Sequence, residues 1–355
     1  MRNALLALPL LLTATLVPAA DAAYRLYVTN EKSGDVTVID GTARKAVATF
    51  AVGKRPRGIQ IAPDGKTLYV ALSGSPILGP PVGAGGKPAK PKDDDDDNGP
   101  PADKAADGIG IIDAVGLKFV RKFAVGSDPE QFAISFDGTR LYIANEDVAT
   151  ASIYSLATEK VEQIIPVGKE PEGVSVTPDG RQVYVTCEAT GEIVVIDLAT
   201  AKEAGRIAPG GRPRSVVFTP DSAKGFAASE TNGTVYVIDV AKHAVSKTLK
   251  LEGGEAVRPM GTAISPDGKK VYVSTGRGGT VVVIDTTTDE VVKTIAVGKR
   301  PWGLALSPDG KFLFSANGPS NDISVVDLAS EQEVAKIKAG DSPWGIAVGP
   351  VPAAK

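Results

Sequence analysis

The side chains best suited to recognising a ligand follow a recurring proline. The chain of 355 residues contains seven of these prolines, as in Pro213-Arg214 and Pro301-Trp302. Guanidinium groups bind carboxylates through two parallel hydrogen bonds, and indole rings offer a flat apolar surface. Such a set suits a planar anionic small molecule or a protein interface. The residues that follow the seven prolines are Arg57, Glu130, Glu172, Arg214, Met260, Trp302 and Trp344.

Several other chemistries are excluded by composition. Histidine and cysteine each occur once, as His243 and Cys187, so the chain has no His-based metal site, haem attachment, His-dependent nucleophile or internal disulfide. We expect His243 in a turn and Cys187 as a half-buried thiol. No glycine-rich phosphate-binding motif leads into a helix. We therefore predict no catalytic residues, and we expect binding rather than catalysis.

An acidic run matches the front half of a calcium-binding loop. Asp94, Asp96 and Asn98 have the required spacing, but Ala105 stands where the closing glutamate is needed. Either these three residues bind a cation, or the loop is merely acidic and solvated. The surrounding segment, at about residues 75–107, is rich in Gly, Pro and Asp and is predicted to be disordered.

The prolines mark an internal repeat of about 42 residues. A second marker, Val-Ile-Asp, keeps the same spacing, except that Ser155 replaces the aspartate in one repeat. Each repeat is typical of four short strands, with a Pro-Asp-Gly turn after the first strand. The aspartate of Val-Ile-Asp is expected to fold back on the backbone of the next turn. Four strands per repeat of this length indicate a β-propeller blade.

The two ends of the chain predict how the propeller closes. Residues 24–52 supply the second to fourth strands of one blade, and residues 341–349 supply its first strand. Six further repeats make the domain, residues 23–355, an all-β, seven-bladed β-propeller with four-stranded blades. First strands line the central channel, so the seven residues after the prolines are predicted to encircle one channel mouth. A structural role remains open there, because Trp can pack between blades and Arg can pair with neighbouring glutamates.

The N-terminus predicts export. Residues 1–22 combine Arg2, an apolar run and the small-x-small pattern at Ala20 and Ala22, which is typical of a signal peptide. The alternative is a membrane anchor, although the apolar run is short for a bilayer span. We expect a periplasmic or secreted domain.

The repeat motifs resemble those of a known family. The segment Tyr27-Val28-Thr29-Asn30, the Pro-Asp-Gly turns and the Val-Ile-Asp strands resemble the YVTN-type β-propeller repeat family over residues 24–350. More narrowly, the seven-repeat layout, leader and insert resemble the periplasmic propellers associated with catabolism dependent on pyrroloquinoline quinone (PQQ). That resemblance implies PQQ as a candidate ligand, and a quinoprotein dehydrogenase or cytochrome as a candidate partner.

Three functions follow from these observations. The first is a non-enzymatic periplasmic accessory protein linked to quinoprotein alcohol oxidation, with the channel mouth as its binding surface. The second is a lactonase-like hydrolase, against which we count the absence of histidine on that face. The third is single-stranded DNA binding, in which Trp302 and Trp344 would stack on bases; the net charge of −3 argues against it. We expect the first.

Overall fold

The computed structural model describes residues 23–77 and 101–352, which form seven four-stranded antiparallel sheets. The predicted seven-bladed β-propeller is therefore confirmed. The predictions for the leader at 1–22 and for cation binding by Asp94, Asp96 and Asn98 lie outside the described residues. Among the described residues, no helix is long and apolar enough to cross a membrane.

The strands follow one another in chain order around the ring, and the first three strands belong to the last blade. They are β1 (Tyr24–Asn30), β2 (Asp35–Asp40) and β3 (Lys45–Ala51). Blades I to III contain β4 (Ile59–Ile61), β5 (Thr67–Leu72), β6 (Gly108–Asp113), β7 (Lys118–Phe123); β8 (Pro129–Ile134), β9 (Arg140–Asn145), β10 (Thr150–Ser155), β11 (Lys160–Pro166); and β12 (Pro171–Val176), β13 (Gln182–Cys187), β14 (Glu192–Asp197), β15 (Lys202–Ile207).

Blades IV to VI continue the same pattern. They contain β16 (Pro213–Phe218), β17 (Lys224–Ser229), β18 (Thr234–Asp239), β19 (Ala244–Lys250); β20 (Thr262–Ile264), β21 (Lys270–Ser274), β22 (Thr280–Asp285), β23 (Glu290–Ala296); and β24 (Pro301–Leu306), β25 (Phe312–Asn317), β26 (Asp322–Asp327), β27 (Gln332–Lys338). Short 3-10 turns lie at Lys104–Ala106, Glu146–Val148, Gly254–Ala256, Gly276–Gly278 and Gly318–Ser320.

Blade VII joins the two ends of the chain. Its innermost strand is the last one, β28 (Pro343–Pro350), which pairs antiparallel with β1, so that Leu26 lies opposite Val348 and Val28 opposite Ile346. The predicted closure is confirmed. The hydrophobic core lies between neighbouring blades; one cluster joins Tyr184 of blade III to Phe218 of blade IV.

The repeated turns form as predicted, because each aspartate caps its own turn. In the first Pro-Asp-Gly turn, the Gly65 N–H donates to the Ala62 carbonyl at 2.9 Å, and Gly65 adopts a φ of +66°. In the Val-Ile-Asp turns, Asp197 Oδ1 accepts from the Thr200 N–H at 2.8 Å. Ser155 does the same for its own blade, accepting from the Thr158 N–H at 3.2 Å. A hydroxyl oxygen thus replaces the carboxylate without loss of the turn.

The channel mouth is held together by hydroxyl groups between blades. Thr29 of blade VII accepts from the Gly345 N–H at 2.8 Å and donates to the Arg57 carbonyl of blade I at 2.7 Å. A Cβ on Gly345 would lie only 2.6 Å from that carbonyl, so glycine is required for the close approach. Thr186 and Ser274 make the corresponding bridges in blades III and V. These contacts fix the residues of the mouth relative to one another.

The insert in blade I is anchored at its C-terminal end. Asp107 is buried and accepts from the Gly74 N–H at 2.7 Å and the Asp128 N–H at 3.0 Å. Residues 101–107, at the end of the segment predicted to be disordered (about 75–107), are described in the structure, and Asp107 satisfies backbone groups on both sides of it. Residues 78–100 lie outside the described part of the chain.

Candidate functional site

The seven predicted residues lie where the inner strands begin, at one mouth of the channel. The residue before the proline bends the chain sharply: Glu170 and Arg300 have φ values of +50° and +51°. Glu172, Arg214, Met260, Trp302 and Trp344 line one cavity, and Arg57 contacts Glu130 beside it. The structure therefore brings together all seven residues.

Arg214 is the centre of a buried cluster of charges. Its Nε donates to Glu230 Oε2 at 2.8 Å, and its Nη1 contacts Glu172 and Glu188. The Arg214 side chain is 14 % exposed and that of Glu188 only 3 %. Burial by itself disfavours the Glu230 carboxylate, but the nearby arginines, Arg214 first among them, outweigh it and lower the Glu230 pKa. Arg214 is thus held rigidly by three carboxylates.

Arg57 has a similar set of partners in the neighbouring blades. Its Nε donates to Glu31 Oε1 at 3.3 Å, and its Nη1 contacts Glu130 and lies 3.5 Å from Glu146 Oε2. The same Glu31 oxygen accepts from Arg55 Nε at 3.1 Å. Both arginines of the predicted set are therefore paired within the protein. We call these two clusters, around Arg57 and Arg214, the paired arc.

The rest of the mouth is aromatic and basic. Trp302 and Trp344 stack with their ring centroids 5.5 Å apart, and the guanidinium groups of Arg214 and Arg300 lie 5.6 and 5.2 Å from the Trp302 ring. Trp344 is 7 % and Met260 3 % exposed, so both are buried. The flat surface expected for ligand stacking is largely covered by the protein itself, because the two indoles pack on each other.

Two arginines on this side of the mouth have no carboxylate partner. Among residues 23–77 and 101–352, no carboxylate oxygen lies within 4 Å of Arg300 or Arg277, and both residues are exposed. The reason is visible in the repeats. The position after the second strand holds glutamate in four blades, but Gly276 and Gly318 occupy it in blades V and VI. We call Arg277, Arg300, Trp302 and Trp344 the open arc.

Neither Arg277 nor Arg300 was among the candidate site residues predicted from the sequence. The exchange of glutamate for glycine in two repeats was the signal that would have indicated them.

The channel is almost closed at the level of the ring. The cavity between Glu172, Arg214, Met260 and the two tryptophans has a volume of about 30 Å³, enough for one water molecule. Any larger ligand would therefore bind above the ring, on the solvent side of the mouth. At the opposite face, a wider cavity of about 510 Å³ is lined mainly by Ile61, Ile134, Phe136 and prolines. Its single carboxylate, Asp64, caps its own turn.

The remaining reactive side chains are structural. His243 lies in a turn as predicted, and its Nε2 is 3.0 Å from Gln182 Nε2. Cys187 is fully buried, and burial raises the pKa of its thiol to about 12. Within the described ranges, no group of three or more His, Cys, Asp or Glu side chains is arranged to hold a metal ion.

Comparison with known proteins gives evidence on the family to which this chain is similar. A family model described as "Lactonase, 7-bladed beta-propeller" matches residues 167–339. The matched segment contains Glu172, Glu188, Arg214 and Glu230. No curated protein sequence matches the chain significantly.

Solved structures with a similar fold include two lactonases by name. The periplasmic gluconolactonase of Pseudomonas aeruginosa is 20 % identical with a TM-score of 0.71, covering 93 % of this chain and 100 % of that one. A putative 6-phosphogluconolactonase from Bacteroides uniformis is 16 % identical at 0.71, with the same coverage. The hydrazine synthase of Kuenenia stuttgartiensis is 21 % identical at 0.67, covering 83 % and 90 %. At these identities the likeness establishes the seven-bladed propeller.

The expectation of a non-enzymatic accessory protein of PQQ-linked oxidation is wrong. The family match is to lactonases, and lactonases recur among the structural neighbours. The absence of histidine from this face does not exclude hydrolysis, because a carboxylate can act as general base and a guanidinium can stabilise an oxyanion. The comparisons support the β-propeller and not the narrower PQQ-associated group.

Proposed function

We propose that the chain is a lactone hydrolase whose site is the mouth around Glu172 and Arg214. One observation carries the proposal: the segment that matches the lactonase model supplies the carboxylate of Glu172 and the guanidinium of Arg214, which line a water-sized cavity. A carboxylate beside a water and a fixed cation are the groups that ester hydrolysis requires.

In this mechanism, Glu172 accepts a proton from a water in the cavity as the water oxygen attacks the lactone carbonyl carbon. The carbonyl oxygen becomes an oxyanion, which the positive charge of Arg214 stabilises. The ring C–O bond then breaks, and the leaving alkoxide takes the proton back from Glu172. The product is the open-chain hydroxy acid, which loses a proton to solvent at neutral pH.

Glu188 and Glu230 are positioning residues. Glu188 contacts Arg214 Nη1, and Glu230 accepts from Arg214 Nε, so the guanidinium plane is fixed before a substrate arrives. Because the guanidinium is already oriented, no free energy is spent on reorienting it during the reaction. A fixed cation therefore stabilises the oxyanion more than a mobile one does.

The test is proton release from D-glucono-δ-lactone, its 6-phosphate and δ-valerolactone, measured against spontaneous hydrolysis. We expect Glu172→Gln and Arg214→Lys to lower kcat/KM at least about 100-fold on the lactone that is hydrolysed. Glu290→Gln, on exposed strand β23, and Arg181→Lys, 83 % exposed in a turn, are the matched controls. Absence of catalysed hydrolysis of all three lactones, or full activity of Glu172→Gln, would refute the proposal.

We also propose that the protein is exported and belongs to the YVTN-type repeat family. The pattern of residues 1–22 and the motif at Tyr27–Asn30 support these two assignments. Cell fractionation and N-terminal sequencing of the mature protein test the first of them, with a new N-terminus near Ala23 as the expected result.

A further inference from the structure

The open arc contains the two mouth arginines that have no carboxylate within 4 Å among the described residues. Arg55, Arg57, Arg212, Arg214 and Arg258 each lie within 4 Å of at least one glutamate oxygen. Arg300 and Arg277 have no such partner among the described residues, although Glu230 and Glu31 act on Arg300 from a distance. The two arginines of the open arc, unlike the other five, are therefore exposed and have no carboxylate beside them, which leaves room there for one external anion.

Arg300 is placed for such a role by the backbone and by an indole. Its left-handed conformation before Pro301 aims it over the Trp302 ring, 5.2 Å from the ring centroid. Partial desolvation in the concave mouth, together with repulsion from Arg277, lowers the Arg300 pKa, although Arg300 stays charged at neutral pH. An anion bound between the two arginines would relieve that repulsion.

The proposed reaction creates an anion at this place. We propose, on the basis of the proposed function, that Arg277 and Arg300 form a subsite for the carboxylate of the hydroxy acid that lactone hydrolysis releases. Arg300 and Arg214 lie against the same indole, so the subsite adjoins the reacting group. The lactone carbonyl is neutral and the product carboxylate is charged, so the subsite binds product more tightly than substrate. The hydrolase is therefore product-inhibited.

The experiment uses the two tryptophans, both of which lie in the open arc, as fluorescent reporters. The full chain is titrated at low salt with D-gluconate, with D-sorbitol as the uncharged analogue, and with D-sorbitol 6-phosphate. We expect gluconate to change the emission with saturation and sorbitol to leave it unchanged. Arg300→Gln and Arg277→Gln should each weaken gluconate binding at least about tenfold, whereas Arg181→Gln, on the opposite face, should not.

The same titrations are repeated by calorimetry, because replacing Arg300 changes the surroundings of Trp302 and so its emission. Calorimetry measures binding without relying on that emission. No gluconate binding, or equal binding by wild type and both variants, overturns the subsite. Binding of sorbitol 6-phosphate at least tenfold tighter than gluconate also overturns it, since the arginines would then fit a phosphoryl group.

The two proposals fail separately. Lactone hydrolysis without gluconate binding leaves the proposed function standing and removes the subsite. Gluconate binding through Arg300 in a chain that hydrolyses no lactone removes the proposed function, and with it the identification of the anion as a product.

Discussion

The paired arc and the open arc are built on the same repeat and differ in their charge compensation. In the paired arc, glutamates after the second strands of neighbouring blades meet the arginines, as Glu188 meets Arg214. In blades V and VI glycine stands at that position, and Arg300 is left exposed beside Trp302. One repeat position therefore decides whether a mouth arginine is ion-paired within its own blade pair or is left without a close carboxylate partner.

The largest effect should come from breaking the ring at blade VII, where the two arcs meet. Ending the chain after Ser342 removes β28, including buried Trp344 and Ala347. The inner strand and its pairing with β1 are lost, so we expect the melting temperature to fall by at least about 10 °C or the transition to disappear. Thermal denaturation followed by circular dichroism tests this, with Trp344→Phe as the control that keeps the strand. An unchanged melt would contradict the closure.

The two arcs should differ most clearly in how far the free energy of unfolding falls when one of their arginines is replaced by alanine. Arg214→Ala leaves buried Glu172 and Glu188 and half-buried Glu230 without their shared partner, which should lower the free energy of unfolding by about 3 kcal/mol or more. Arg300→Ala removes an exposed side chain without an ion pair and should cost less than about 1 kcal/mol. Urea denaturation measures both. Equal losses would mean that the distinction between the arcs has no energetic basis.

A smaller effect should follow from removing one bridge between blades. Thr29→Val keeps the shape of the side chain but loses the hydroxyl that joins Gly345 to the Arg57 carbonyl. We expect a loss of about 1–2 kcal/mol, since two buried backbone groups lose a partner. Thr29→Ser keeps the hydroxyl and should restore most of that loss. If Val and Ser destabilise equally, the methyl packing matters and the hydrogen bonds do not.

The smallest effect concerns acid stability in the paired arc. The pKa of Glu230 is lower in the folded protein, so its ion pairs stabilise the fold above its unfolded pKa of about 4.3. That contribution disappears as the pH falls through the folded pKa. Urea denaturation of Glu230→Gln should therefore show the largest difference from wild type at neutral pH and a diminishing one below about pH 4. A pH-independent difference would show that the ionisation of Glu230 does not contribute.

The scaffold could be predicted from the sequence because each repeat encodes it separately. The recurring prolines, the capped turns and the blade divided between the two chain ends predicted seven blades. Because first strands line the channel, the residues after the seven prolines were predicted to lie together at its mouth. Ser155, which replaces the aspartate of the Val-Ile-Asp motif in one blade, forms the same turn, because its hydroxyl accepts the hydrogen bond that an aspartate would accept.

The chemistry of the mouth could not be predicted in the same way. Whether Arg57 is free or paired depends on Glu31 and Glu130 in adjacent blades, at distances that only the closed ring sets. The burial of Trp344 follows from its stacking on Trp302, which repeat spacing does not reveal. The sequence-based interpretation counted the missing histidine against a hydrolase, whereas the mouth offers carboxylates and guanidiniums.

The central claim, that this mouth hydrolyses lactones through Glu172, is tested most directly by the fate of the attacking water. The lactone hydrolysed by the wild type is incubated in H₂¹⁸O, and the product is analysed by mass spectrometry over the time in which spontaneous opening is small. We predict one ¹⁸O in the product carboxylate, formed rapidly by wild type and Glu290→Gln and at the spontaneous rate with Glu172→Gln. Equally rapid formation of labelled product by Glu172→Gln would contradict the claim.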